Sequence, residues 1–181
     1  MTLGLDIQIK TDIANEPVSL AEMLLYLNVD NSYWNTLVDT LITSSRVSLE
    51  RYTGSTFGTK TLVATFQKVA DNIDIPYGPV QSITNVKSID ESGTKTTLVA
   101  GTDYLITGNN FKNIRFFGID TPIEIEYVAG YTSLPSDLKV AIMKQVAMDY
   151  QFRESVAEGS FSELSNSAKK LANSYRRFTM F

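Results

Sequence analysis

Pro17-Val18-Ser19-Leu20-Ala21-Glu22-Met23 reads as the start of a helix. Ser19 stands where a side-chain oxygen can accept from the first free backbone N–H groups, and Glu22, three residues on, completes a capping box. Val18 and Met23 hold the two positions of a hydrophobic staple. A short helix is predicted from about Leu20 to Leu27. Beyond it, Val29-Asp30-Asn31-Ser32 offers several capping side chains in a row, so a second helix should begin near Asn31 or Ser32. Its apolar residues Trp34, Leu37, Val38, Leu41, Ile42, Leu49 and Tyr52 recur along one face of a 3.6-residue period, and Gly54 supplies the stop.

Outward from this pair the texture changes. From Thr59 to Val128, β-branched and aromatic residues alternate with turn signals at Pro76-Tyr77-Gly78-Pro79, Asp90-Glu91-Ser92-Gly93 and Gly108-Asn109-Asn110. Strands are predicted at Thr61–Lys68, Val80–Ile89, Tyr104–Thr107, Asn113–Phe117 and Ile123–Val128. In the last of these, Ile123, Ile125 and Tyr127 point to one side and Glu124 and Glu126 to the other, which gives one buried face and one exposed acidic face. The bland reading of the two glutamates is a solvated strand face.

Pro135 and Ser136 then open a third helix with Leu138, Ile142, Val146 and Tyr150 about every fourth residue, ending near Phe152 or Glu154. Trp34, Tyr127, Tyr131 and Tyr150 are expected in the core, because no basic groove accompanies them as nucleic-acid stacking would require. After Gly159-Ser160 the residues Phe161, Leu164, Ala168, Leu171, Tyr175 and Phe178 are spaced three and four apart, the pattern of a helical seam. Two readings stay open. The tail either folds back on its own core, or docks as an amphipathic helix on a partner, with Lys169, Lys170, Arg176 and Arg177 steering it toward an acidic surface.

Composition narrows the function. The 181 residues include no cysteine and no histidine, so disulfides, thiolate nucleophiles, Ser-His-Asp machinery and the commonest metal ligands are excluded. Asp71, Asp74, Asp90, Glu91 and Asp103 follow no calcium-loop pattern and suit turns. No catalytic residue, metal or cofactor is expected. A hydrophobic share of 43% against 20% charged residues is that of a folded globular chain, with no membrane span and no signal-like N-terminus. The net charge of −4 argues against a protein that clamps phosphates. It is unevenly spread: Lys169, Lys170, Arg176 and Arg177 against Glu158 and Glu163 leave residues 155–181 at +2 and residues 1–154 at −6.

Two stretches resemble the head-tail connector proteins of long-tailed phages, also called adaptor or head-completion proteins. One runs from Pro17-Val18-Ser19-Leu20-Ala21-Glu22 through Leu27-Asn28-Val29-Asp30 to Leu49-Glu50-Arg51-Tyr52-Thr53-Gly54; the other runs from Ile125-Glu126-Tyr127-Val128-Ala129-Gly130-Tyr131 through Leu134-Pro135 to Tyr150-Gln151-Phe152-Arg153-Glu154. Pro79-Val80-Gln81-Ser82-Ile83 and Asp90-Glu91-Ser92-Gly93 lie between them in the family's order. The first sixteen residues and those after Glu154 match nothing in that pattern.

The expected fold is α+β: a small core of three main helices, residues 17–54 and 135–154, bracketing a β-rich insert, 59–128, in one connector domain of residues 1–154. Residues 155–181 form a C-terminal extension, helical or disordered until bound. The resemblance implies a structural virion protein of the neck, assembled in the host cytoplasm, whose copies form a dodecameric ring under the portal protein. Such a ring extends the DNA channel without sequence-specific binding of the genome and receives the tail or its stopper or tail-completion protein. The portal- or neighbour-binding residues would be Phe161, Leu164, Leu171, Tyr175, Arg176, Arg177 and Phe178, and the acidic channel face Glu124 and Glu126. The alternative, from another class, is a non-enzymatic binding module whose β-sandwich-like insert recognises a protein or a carbohydrate.

Overall fold

A computed structural model describes residues 4–30, 32–68, 70–152 and 164–177 of the chain. Among the described residues, eight strands and four α-helices follow one another in an α+β arrangement. Two units divide them. Residues 4–14 and 54–132 make a β unit, and residues 15–53, 133–152 and 164–177 a helical one.

In the β unit, β1 (Leu5–Thr11), β2 (Lys60–Phe66), β8 (Ile123–Ala129), β4 (Val80–Ile89) and β5 (Lys95–Thr97) form one antiparallel sheet in that order. A second sheet is built from β3 (Asn72–Asp74), β7 (Asn113–Phe116) and β6 (Tyr104–Thr107). Period-two alternation sets the register: Leu62 lies opposite Tyr127, Ala64 opposite Ile125 and Phe66 opposite Ile123. These six side chains are buried, and Ile73, Ile114, Phe116 and Tyr104 of the second sheet join them in one apolar cluster. The buried phenol of Tyr127 donates to the Pro76 carbonyl at 3.0 Å, so its one polar atom is satisfied.

The five strands expected from the sequence are present, within one to two residues at their ends. Three were not anticipated. β3 and β5 are three residues each and too short for a periodic signal, whereas Leu5, Ile7 and Ile9 alternating with Asp6, Gln8 and Lys10 in β1 is a regular period of two.

The bend after β8 is fixed by Gly130. Its φ of +116° disfavours any side chain, and a Cβ there would fall on the carbonyl oxygen of Gly58. Gln81 ties the same bend down, its amide donating to the Gly130 carbonyl at 2.9 Å and to Thr59 Oγ1 at 3.0 Å. The turn at Asp90 is equally local. Asp90 Oδ1 accepts from the backbone N–H groups of Ser92 and Thr94 and from the Ser92 hydroxyl, and these bonds lower its pKa, the hydroxyl contributing most.

In the helical unit α1 (Leu20–Leu27) starts at the capping box: Ser19 Oγ accepts from Glu22 N, and the Glu22 carboxylate accepts from Ser19 N at 3.0 Å. Val18 and Met23 are buried. α1 ends at Asn28, in the left-handed conformation that asparagine tolerates. The second helix begins later than the capping residues suggest: Ser32–Trp34 is a 3-10 turn and α2 runs Asn35–Thr53, the tighter turn being a common way to open a helix. Gly54, at φ +66°, stops it. α3 (Ser136–Gln151) buries Leu138, Ala141, Ile142 and Val146. Trp34 and Tyr150 meet edge to face with centroids 6.1 Å apart, and both are half-buried rather than core.

α2 also carries a buried charge. The Arg46 guanidinium bonds Glu16 through Nε at 2.7 Å and Nη2 at 3.1 Å, and Glu50 through Nη1 at 2.9 Å.

Candidate interaction surfaces

The tail seam is described from residue 164 to 177. Ser165 caps α4 (Asn166–Ala172), its hydroxyl accepting from Ala168 N at 3.1 Å, and a 3-10 turn over Asn173–Tyr175 follows. The side chains fully buried on this segment are small, those of Ala168 and Ala172. Leu164, Leu171 and Tyr175 are half-buried, and Arg177 likewise; Lys170 and Arg176 are exposed. Phe161 and Phe178, the two ends of the seam, lie outside the described residues.

Polar clasps hold α4 at both ends. At the first, Ser165 N donates to Gln145 Oε1 at 2.7 Å, the Gln145 amide donates to Asp149 Oδ1 at 2.9 Å, and the Ser45 hydroxyl reaches Asp149 Oδ2 at 3.4 Å. Burial raises the pKa of Asp149, and the bonds from Gln145 and Ser45 hold it back. At the second, Arg177 N donates to the Thr53 carbonyl at 2.8 Å, which gives the last turn of α2 a partner for an otherwise orphaned acceptor. The Arg176 guanidinium lies 5.0 Å from the centroid of the Tyr52 ring, and Tyr52 Oη is 3.4 Å from Asn173 Oδ1. The described part of the seam therefore turns Ala168 and Ala172 inward and Lys170 and Arg176 outward.

Glu124 and Glu126 do share the polar face of β8, but that face is neither bare nor freely solvated. β8 is the middle strand of five. Lys95 Nζ lies 2.5 Å from Glu124 Oε2 and Lys10 Nζ 2.6 Å from Glu126 Oε1. The two carboxylate side chains are only 18% and 17% exposed, so the expected open acidic face is a row of half-covered ion pairs whose lysines come from the edge strands β1 and β5. The Lys10 hydrogen bond is the main cause of the lowered pKa of Glu126.

One surface escaped the sequence reading. Leu25 is 84% exposed and Tyr33 80%, with Tyr26 exposed beside them in the chain, on either side of the Asn28 bend. Leu25 and Tyr26 lie within the predicted helix and look like part of an apolar run; only the direction in which α1 turns its buried Met23 shows that they face out. Among the described residues no cluster of acidic side chains could hold a metal ion, and no helix is long and apolar enough to cross a membrane.

No family profile and no curated protein matches the chain. Solved structures do. A chain from the neck of an empty gene transfer agent particle, computed with C6 symmetry, superposes with a TM-score of 0.78 at 16% identity. A chain of the native gene transfer agent virion gives 0.74 at 16% identity, and one from the native neck computed with C12 symmetry gives 0.71 at 17%. Each match covers 97% of this chain and 97% of the other. The chain shares the fold of a gene transfer agent neck subunit. That likeness agrees with the head-tail connector resemblance of residues 17–154. In this chain the neck fold is held by the Ser19–Glu22 box, the apolar face of β8 and the positive-φ glycines at positions 54 and 130.

Proposed function

We propose that the chain is a structural protein of a virion neck, a head-to-tail connector that forms a ring under the portal protein, extends the DNA channel and offers the surface on which the tail or its stopper seats. The observation that carries this reading is the fold match along nearly the whole length of both chains to subunits of particle necks. The C6 and C12 symmetry of those necks supports a ring of copies, twelve in the virion, and closed rings are the ordinary product of a head-to-tail contact whose rotation closes. The acting chemistry is association, and the chain needs no cofactor for it.

The tail is the gripping element in this reading. Leu164, Leu171, Tyr175, Arg176 and Arg177, with Phe161 and Phe178 beyond them, supply an apolar and basic surface for the portal or a neighbouring copy. The channel wall is the second part: Glu124 and Glu126, paired with Lys95 and Lys10, give a charge-balanced face without a free cluster of cations to hold DNA. Replacing both glutamates by lysine and measuring DNA retention in assembled particles tests it; unchanged retention removes β8 from the channel.

The deciding experiment mixes the purified chain with its portal protein and measures mass by light scattering. A complex whose mass corresponds to a ring on the portal is expected. Absence of any complex at all concentrations would leave a shared fold without a shared role.

A further inference from the structure

Charge is segregated within the helical unit. Residues 15–45 contain Glu16, Glu22, Asp30 and Asp39 and no lysine or arginine, whereas residues 164–177 contain Lys169, Lys170, Arg176 and Arg177 and no acid. Glu16 and Glu22 are committed inside the unit, to Arg46 and Lys139. Asp30 and Asp39 are exposed, Asp30 between Tyr26 and Tyr33 in the chain and Asp39 six residues beyond Tyr33. One end of the unit therefore presents aromatic rings, an 84% exposed leucine and two outward carboxylates. The other presents the cations of α4 and the turn that follows it.

We infer that these two surfaces are the halves of one head-to-tail contact between copies of this chain: the basic outer face of α4 on one copy docks on the Leu25–Tyr33 surface of the next. The inference rests on the ring reading above and names its interface. A ring needs a heterologous contact, built from two different patches of the same subunit, and opposite charge on two separate elements is what such a contact requires. The side chains suit each other. Tyr26 and Tyr33 offer ring faces to Lys170 and Arg176, whose aliphatic stems can cover Leu25, while Asp30 and Asp39 set the direction of approach. Exposed tyrosines of this kind are the residues that interfaces concentrate. α4 fully buries only two alanine side chains among its own residues, so the contact falls on its outer face.

The test is a charge swap on the full chain, run with and without portal protein at low and high salt. Variant one carries Lys170→Glu and Arg176→Glu; variant two carries Asp30→Lys and Asp39→Lys. Each alone should lose the oligomer that the wild type forms, because acid then faces acid or base faces base. Mixed in equal amounts they should recover it, since each tail again meets an opposite surface on the other variant. Sedimentation velocity reads the three samples, and recovery of the ring also shows that both variants fold. A wild-type ring with no recovery in the mixture, or with either variant assembling alone as well as wild type, overturns this interface and leaves the connector reading standing. A wild type that remains monomeric both alone and with portal removes the connector reading and this inference with it.

Discussion

Arg46 in the helical unit and Lys95 in the β unit each hold a glutamate, at 2.9 and 2.5 Å, but the Arg46 side chain is 2% exposed and that of Lys95 46%. The contrast runs through the two units. The Arg46 guanidinium uses Nε and both terminal nitrogens to tie α2 to Glu16, in the segment before α1, and to Glu50 on α2 itself, in a site with little water to screen or replace a lost partner. The strands are registered by Leu62, Ala64, Phe66 and their partners on β8, and their ion pairs lie across the outer face where water competes. Ion pairs of similar length thus differ in cost: the buried one is expensive to break, and the others trim a sheet that apolar burial already holds.

Breaking Arg46 gives the largest expected effect. Arg46→Leu removes the guanidinium that Glu16 and Glu50 share, and urea denaturation should show a loss of about 3–5 kcal/mol. Replacing Arg46, Glu16 and Glu50 together by apolar residues of similar volume should restore most of it, because the cost lies in the stranded charge. Ile125→Val, in the middle of the buried face of β8, should cost roughly 0.5–1.5 kcal/mol by the same measurement, a packing loss without an electrostatic part. Ser19→Ala removes the side chain that caps α1 and should cost about 1 kcal/mol. Lys95→Ala should be the smallest, at about 0.2–1 kcal/mol, and its effect should fade as salt is raised.

Acid sharpens the same contrast. The Lys139 hydrogen bond and the Ser19 bonds lower the pKa of Glu22 from 4.5 to about 2. A carboxylate depressed on folding adds stability above its unfolded pKa and loses it as pH falls toward the folded value, so this contribution should disappear between about pH 4.5 and 2. Asp149 runs the other way. Its raised pKa means that folding favours the protonated form, a benefit present at low pH and lost as pH rises through the folded value. Asp149→Asn should therefore raise the melting temperature at neutral pH and change it little in acid.

Most of the architecture was legible in local chemistry. The Ser19–Glu22 box set the bounds of α1, the Gly54 stop ended α2, and the alternation of residues 123–129 gave β8 its buried side. Pattern alone could not say what lies across a strand. Glu124 and Glu126 read as exposed because Lys10 and Lys95, remote in sequence, come beside them only once β1 and β5 join the sheet. In the tail, size separates the buried residues from the half-buried ones. Leu164, Leu171 and Tyr175 dominate its seam, yet the fully buried residues of α4 are Ala168 and Ala172, small enough to bring one helix close against another. Arg46 and Glu50 stand four apart, a spacing usually spent on a solvated helix face, so nothing local marked them as interior.

The hydrogen bonds that close the β unit bear on how the chain finds its fold. Thr56 O accepts from Tyr131 N at 3.3 Å, and the bridge between Ser55 and Gly78 lies beside it, so the insert of residues 54–132 begins and ends at one place. α2 and α3 are far apart in the chain, and joining them costs the entropy of closing that long loop. Once the insert has folded, its ends are already together and the remaining loop is only a few residues. The meeting ends of residues 54–132 thus shorten the loop that separates α2 from α3, and so lower the entropy cost of pairing the two helices.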